Sequence, residues 1–446
     1  MEGLKMGISG VRGLVHKTID AETVFRFGYA YGSLFPGTKV VIGRDGRGSG
    51  DEFLQALLAG LHIHRVVTRD IGIAPTPTVI HSVRTTQANG GIIITASHNP
   101  IEWNGLKFIN AKGEFIDPST IERLFHEFAA CSEAYNVTPV LSLHEQDPDA
   151  CKNHVNAILK QVDLPSIQAR HFSVAVDTCH GAGAVIDPYL FEQIRASVFS
   201  VGYIPNGAFE HMPEPLPENM VDLANAVKKS NAHVGFYQDP DADRISVVDE
   251  TGTIIGEEYA LVLCAESILS HPNAPDGPIV VNLSTSRMIE DVAKKYGRTV
   301  LRSAVGEMNV INMMKKHSAV FGGEGSGGII WPQATYCRDS IAGIALVLDL
   351  MARSGKNISE LVAQIPRYEI VKAKKELTDM GEVAALYAKA KSRFMDILPD
   401  TTDGMRFAFI DSWLHIRPSN TEPIVRIFAE APTKEAAQAL VDIVIK

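Results

Sequence analysis

Residues 90–100, GGIIITASHNP, join a short apolar run to a polar turn. Residues 91–94 read as a buried strand, and Thr95 to Pro100 as the loop that leaves its end. The same order recurs along the chain. Upstream, 39–42 is a strand ending in GRDGRGSG, a helix is expected over 51–62, and a strand at 65–67 leads into the turn-rich GIAPTPTV. Downstream, 173–176 ends in DTCHGAG, 197–201 follows, and 233–237 runs into DPDADR. Then 278–281 ends in NLSTS before a helix over 288–296, and strands at 299–302 and 319–321 lead to GGEGSGG. Strands alternating with helices predict βαβ units. The fold class expected is α/β: three related α/β domains with mixed, mostly parallel sheets. Each delivers a polar or glycine-rich loop from a strand's C-terminal end, where open α/β sheets place ligands.

The end of the chain reads differently. A helix over 380–397, strands at 405–409, 413–416 and 425–429, and a last helix over 434–445 after Thr433 as N-cap make a smaller α+β domain. Its loop of interest is RPSNTEP, 417–423. The expected domains are 1–147, 148–253, 254–366 and 367–446, around one central cleft.

A chain of 446 residues exceeds what one core supports. With 45% apolar and 21% charged residues it is neither disordered, fibrous nor a disulfide scaffold. A net charge of −10 argues against nucleic acid or an anionic membrane as partner. The five cysteines are odd in number and widely spaced, which suits free thiols in a reducing compartment. MEGLKMGISG has no apolar run, and the apolar stretch 341–348 is about half a membrane span. A cytoplasmic protein is expected.

Ser97 follows a buried strand and is flanked by Thr95, His98 and Asn99. Its hydroxyl can act as a nucleophile or carry a phosphoryl group beside the first amides of a following helix. An ordinary N-cap serine is the alternative, and the pattern alone leaves both open. His98 is expected to point away from the Ser97 side chain, and no G-x-S-x-G occurs, so a serine hydrolase is disfavoured. In DPDADR, Asp239, Asp241 and Asp243 alternate. Three carboxylates this close are tolerable when a divalent cation neutralises them, and oxygen ligands without soft ones suggest Mg²⁺; a solvated acidic turn is the alternative. An EF-hand fails, because Arg244 stands where glycine is needed and the flanks read as strands. Arg244 reads as a ligand or phosphate contact. GGEGSGG contains G-x-G-x-x-G, but a strand-like, proline-blocked segment follows it, so a dinucleotide fingerprint fails. Glu324 and Ser326 are left as hydrogen-bonding groups for hydroxyls. Arg417, Ser419, Asn420 and Thr421 form a donor-rich loop suited to a phosphate dianion. Arg12, between glycines, is a further phosphate or catalytic contact. Lys107 is a candidate acid–base group or charge partner.

Taken in order, GISGVRG, GRDGRGSG, TASHNP with WNGLK, DPDADR, GGEGSGG and RPSNTEP resemble the α-D-phosphohexomutase family over nearly the whole chain. The resemblance implies an isomerase-class intramolecular phosphotransferase acting on a small hexose phosphate, as a monomer or homodimer. It implies that Ser97 is the phosphoserine and that Asp239, Asp241 and Asp243 hold Mg²⁺ with its phosphoryl group. Glu324 and Ser326 would bind sugar hydroxyls. Arg417, Ser419, Asn420 and Thr421 would grip the non-reacting phosphate. Arg12, His98, Lys107 and Arg244 would surround the transfer, with Lys107, its pKa depressed, moving the hydroxyl proton. The implied reaction interconverts hexose 6-phosphate and hexose 1-phosphate through a bisphosphate, with hexose 1,6-bisphosphate as activator and the C-terminal domain closing over the substrate. Gly328 departs from the family's frequent G-E-x-S-x-H pattern. The glycine-rich version is similar to archaeal-type phosphoglucosamine mutases and their phosphomannomutase/phosphoglucomutase relatives, which leans the expectation to glucosamine phosphate. A phosphatase using the same phosphoserine is the alternative.

Overall fold

β-Branched runs make the strands here, and the periodic apolar stretches between them make helices that bury the sheet faces. The computed structural model describes residues 3–7, 10–136, 138–377, 379, 381–419 and 423–445. The chain divides into two compact units, Met1–Ala260 with Gly327–Ser359, and Leu261–Ser326 with Glu360–Lys446.

In the first unit a seven-stranded mixed sheet runs in the order Lys5–Gly7, Gly10–Leu14, Trp103–Asn110, Gly90–Ile94, Lys39–Arg44, Val67–Ile73, His144–Gln146. Gly90–Ile94 is buried along its whole length. It lies parallel to Lys39–Arg44 and antiparallel to Trp103–Asn110. Helices Ala21–Leu34 and Gly50–Ile63 pack with backbones nearly touching. A Cβ on Gly60 would come 2.3 Å from the carbonyl of Phe25, so glycine is needed there. A second sheet orders Ile245–Val248, Val234–Gln238, Ser173–Asp177 and Ser197–Val201, parallel except for the first pair. The apolar stretch 341–348 lies in helix Ser340–Ser354, which packs on helices Ala150–Leu159 and Leu164–Ala169.

In the second unit, Val300–Ser303, Ile279–Asn282 and Phe321–Glu324 are parallel. An antiparallel sheet of Glu369–Glu376, Ile424–Ala431, Trp413–Pro418 and Met405–Ala408 packs with helices Gly381–Arg393 and Lys434–Ile445. Thr433 caps the last helix as expected, its Oγ1 accepting from the amide of Ala436 at 3.2 Å. No helix among the described residues is long and apolar enough to cross a membrane.

The α/β fold class holds, and three local expectations do not. The strand expected at 65–67 is Val67–Ile73. The segment read as turn-rich contains helix Thr76–Thr85. Its Pro77 sits in the first helical turn, where no intrahelical N–H is required, so it starts a helix instead of breaking one. No helix follows Ser97 either: the chain turns directly into the antiparallel strand Trp103–Asn110.

Two buried histidines bear on acid stability. His62 Nδ1 accepts from the amide of Val140 at 2.9 Å, and Nε2 meets Thr68 Oγ1 at 3.1 Å. Burial, then His144, pushes His62 down to about 4, and burial, then His154, does the same to His81. Both folded values lie below the ordinary 6.5, so their contribution to stability is full above that pH and is lost as pH falls toward about 4. Denaturant titrations should show stability falling on acidification through this window, by about 1.4 kcal/mol per pH unit for each proton taken up on unfolding. A flat profile from pH 6.5 to 4 would contradict this assignment.

Candidate active site

Ser97 has φ of 52°, in the left-handed region that side-chain-bearing residues avoid. The turn is held by a buried network. The Ser97 amide donates to Thr95 Oγ1 at 2.8 Å, and Thr95 Oγ1 donates to Asp45 Oδ2 at 2.6 Å. Arg47 Nε donates to the same Asp45 oxygen at 3.0 Å. Its Nη2 donates to the carbonyls of Ser97 and Asn99, both at 2.7 Å. Its Nη1 donates to those of Pro100 at 2.7 Å and Trp103 at 2.8 Å. One guanidinium therefore satisfies four carbonyls of the turn at once, and its geometry allows few other arrangements.

This strain decides where His98 goes. Adjacent side chains diverge in a strand, but the left-handed turn brings His98 Nδ1 to 3.3 Å from Ser97 Oγ, which corrects the expectation that it points away. Burial, then the charges of Arg244, Arg12 and Arg338, pushes His98 down to about 2, so its ring is neutral. Arg12 Nη1 donates to Asn99 Oδ1 at 3.0 Å, which brings GISGVRG to the same turn; Ile8 and Ser9 of that motif lie outside the described residues.

DPDADR leaves the end of strand Val234–Gln238 and meets the serine. Ser97 Oγ lies 3.5 Å from Asp239 Oδ2. Asp239, Asp241 and Asp243 are all buried, with one oxygen from each lying within 4.8 Å of the others. Asp239 Oδ1 accepts from the amides of Asp243 and Arg244, each at 3.1 Å. Asp241 Oδ2 accepts from Lys107 Nζ and Thr76 Oγ1, each at 2.6 Å. Asp243 Oδ2 accepts from Arg338 Nη2 at 2.6 Å. Arg244 Nε stands 3.9 Å from both Asp239 and Asp243. Oδ1 of Asp241 and Oδ1 of Asp243 are buried without a hydrogen-bond partner. Burial and the two neighbouring carboxylates push Asp239 well up. Orphaned carboxylate oxygens and a carboxyl that resists ionising fit a site that receives a divalent cation.

Lys107 contradicts the depressed pKa expected of it. Burial lowers it, but the carboxylates of Asp241 and Asp243 outweigh that and leave it above the ordinary lysine value.

Arg338 was not legible as a site residue, and neither were Asp45, Arg47 and Thr76. The signal for Arg338 lay in Gly328. A Cβ at 328 would fall 2.4 Å from Arg338 Cδ, so this glycine leaves the space that the arginine stem fills on its way to Asp243.

The remaining candidates lie in the second unit. Glu324 ends strand Phe321–Glu324, and its Oε1 accepts from Asn282 Nδ2 at 2.9 Å and from the amide of Gly306 at 3.0 Å. The adjoining Val305 amide donates to Asp403 Oδ2 at 2.9 Å, and Arg417 Nη1 donates to that oxygen at 3.2 Å. Glu324 and Arg417 thus belong to one hydrogen-bonded chain. Ser326 is half-buried in the turn after Glu324. The Ser419 amide donates to the Ile424 carbonyl at 2.8 Å, closing the base of RPSNTEP. Asn420 and Thr421 lie outside the described residues.

Four domain models of one family match the chain in order. They are described as phosphoglucomutase/phosphomannomutase α/β/α domain I at residues 3–134, domain II at 152–252, domain III at 256–368, and the C-terminal domain at 360–446. A phosphoglucomutase/phosphomannomutase of Thermococcus kodakarensis is 35% identical, over 100% of this chain and 98% of that protein. A phosphoglucosamine/phosphogalactosamine mutase of Sulfurisphaera tokodaii is 31% identical, over 99% of this chain and 98% of that one. The crystal structure of a phosphoglucomutase/phosphomannomutase family protein from Burkholderia thailandensis superposes with a TM-score of 0.84 at 27% identity, covering 97% of this chain and 94% of that one.

The geometry generates two expectations. Arg47→Met should cost about 3–5 kcal/mol of stability, because it leaves Asp45 buried without its charge partner. It should also speed amide exchange across 95–100; unchanged exchange there would refute the clamp. Gly328→Ala should push Arg338 off Asp243 and lower turnover, with Arg338→Ala lowering it no further in the Gly328→Ala background. Additive losses would show that the two residues act separately.

Proposed function

We propose that this chain, which belongs to the phosphoglucomutase/phosphomannomutase family, interconverts hexose 6-phosphate and hexose 1-phosphate by way of a phosphoserine at Ser97 and a hexose bisphosphate. Membership makes it a phosphohexomutase, an enzyme of the isomerase class. The observation that carries the phosphoserine is the placement of Ser97 Oγ. It stands on a strained, tightly clamped turn, 3.5 Å from Asp239 in a cluster of acids with orphaned oxygens.

The residues divide the work. The phosphoryl group on Ser97 passes to the free hydroxyl of the bound sugar phosphate: the bond from phosphorus to Oγ breaks, one to the sugar oxygen forms, and the proton of that hydroxyl ends on the released Oγ. After the bisphosphate turns round, its other phosphoryl group returns to Oγ. Such a transfer depends on in-line placement and neutralisation of charge more than on covalent chemistry. Arg12, Lys107 and Arg244 supply positive charge around Ser97, and Arg338 holds Asp243. Asp239, Asp241 and Asp243, with an oxygen of the Ser97 phosphoryl group, would hold Mg²⁺, the hard cation that carboxylate oxygens favour. When bound, it supplies neutralisation of the transferring oxygens. His98, neutral beside Oγ, positions the serine hydroxyl. Glu324 and Ser326 take the sugar hydroxyls, and Arg417 with Ser419, Asn420 and Thr421 takes the phosphate that stays.

Among sugars, glucosamine phosphate is the first reading. A buried carboxylate such as Glu324 suits a 2-ammonium group, and the Sulfurisphaera relative is named for amino sugars. Mannose and glucose phosphates are the second reading. A carboxylate also accepts from hydroxyls, and the Thermococcus relative carries that name.

A ³¹P NMR time course with Mg²⁺ and a trace of hexose 1,6-bisphosphate tests both. Glucosamine 6-phosphate should convert to the 1-phosphate faster than the mannose and glucose compounds. Release of inorganic phosphate alone would make the protein a phosphatase. Ser97→Ala should lose at least about a hundredfold in rate, the scale expected when a nucleophile is removed, while still binding sugar phosphate. Chelator should abolish turnover until Mg²⁺ is restored, and full rate in metal-free buffer would refute the cation site.

A further inference from the structure

Three side chains of the second sheet's loops take no part in the chemistry above. Asp177 ends strand Ser173–Asp177, Cys179 follows two residues on, and His211 comes from the segment after strand Ser197–Val201. One donor atom from each lies within 4.8 Å of the other two. Ligands of a tetrahedral Zn²⁺ stand about 3.3–3.6 Å apart, given bonds of about 2.0–2.3 Å, so a small contraction closes the set.

Their surroundings orient the donors inward. His211 Nδ1 is 3.1 Å from the Met212 carbonyl, which can only accept, so Nδ1 carries a hydrogen. Nε2 then faces Asp177 Oδ2, 3.0 Å away, across a gap that either a proton on Nε2 or a metal ion can close. Asp177 Oδ1 is taken by the Cys179 amide at 2.9 Å, which turns Oδ2 toward His211. Cys179 Sγ donates to Tyr237 Oη at 2.8 Å; a metal ion would displace that thiol proton, and the Tyr O–H could then turn to the thiolate. A backbone carbonyl on the far ring nitrogen and a hydroxyl beside the sulfur are the supporting contacts that metal ligands use. Asp177 and Cys179 are buried, whereas the His211 side chain is 18% exposed and offers a route in.

We propose that Asp177, Cys179 and His211 bind a borderline-soft divalent cation, Zn²⁺, separate from the acidic cluster at Ser97. Sulfur, imidazole and carboxylate donors select this class of ion, as the all-oxygen cluster does not. The ion ties the turn after Asp177 to the segment that backs the serine clamp. In that segment Phe209 lies against the Arg47 guanidinium at 4.9 Å, and a Cβ on Gly207 would fall 2.7 Å from Arg47 Cα. A second proton on His211 is the rival occupant, giving a plain ion pair with Asp177.

The test uses the full-length protein, stripped with chelator and titrated with Co²⁺. Thiolate ligation should give a near-ultraviolet charge-transfer band that one equivalent of Zn²⁺ abolishes. Cys179→Ser and His211→Asn should lose the band, and Asp241→Asn, in the other cluster, should keep it. Absence of the band in the wild type would overturn the proposal and leave the ion pair. Persistence of the band in Cys179→Ser, or its loss in Asp241→Asn, would overturn it equally. Should both site variants misfold, the wild-type band stands as the deciding readout, and Zn²⁺ should also raise the melting temperature of the stripped protein.

Discussion

A single buried guanidinium underlies the candidate site. Arg47 donates to four carbonyls between Ser97 and Trp103 and pairs with Asp45, which also receives Thr95. Without it those carbonyls and that carboxylate would be buried and unsatisfied, a cost of several kcal/mol by ordinary measures. With it, Ser97 is held in a left-handed conformation that its own side chain disfavours. The strain faces Oγ toward Asp239 and folds His98 back beside it.

The acids opposite Ser97 obey a matching constraint. Asp241 is satisfied by Lys107 and Thr76, and Asp243 by Arg338, each through one oxygen only. The oxygens left over have no donor, and Asp239 resists ionisation beside its neighbours. The fixed cations neutralise part of the cluster, and the remainder suits a divalent ion. Gly328 enters the same balance, because its missing side chain leaves room for the Arg338 stem.

Much of this was legible in the sequence, and for identifiable reasons. Residues 91–94 read as a buried strand and are one, and the alternating acids of DPDADR read as a cluster and lie buried together. Lys434–Ile445 and its cap at Thr433 followed from local signals alone. What sequence missed depends on partners distant in the chain. Arg47 lies fifty residues before Ser97, and Arg338 ninety-five after Asp243. GIAPTPTV was misread because proline in the first turn starts a helix as readily as it ends one elsewhere. The lysine was misjudged for a similar reason: burial alone would depress its pKa, but two carboxylates brought by a distant strand reverse the sign.

The central claim is that the clamped turn exists to hold a phosphoryl group on Ser97. It is tested most directly by incubating the protein with hexose 1,6-bisphosphate and mapping the modified peptide by mass spectrometry, for the wild type and for Arg47→Met. The account predicts one phosphoryl group, on Ser97, in the wild type, and a marked loss of that label when the clamp is removed. A label on another residue, or full labelling of Ser97 without Arg47, would contradict it.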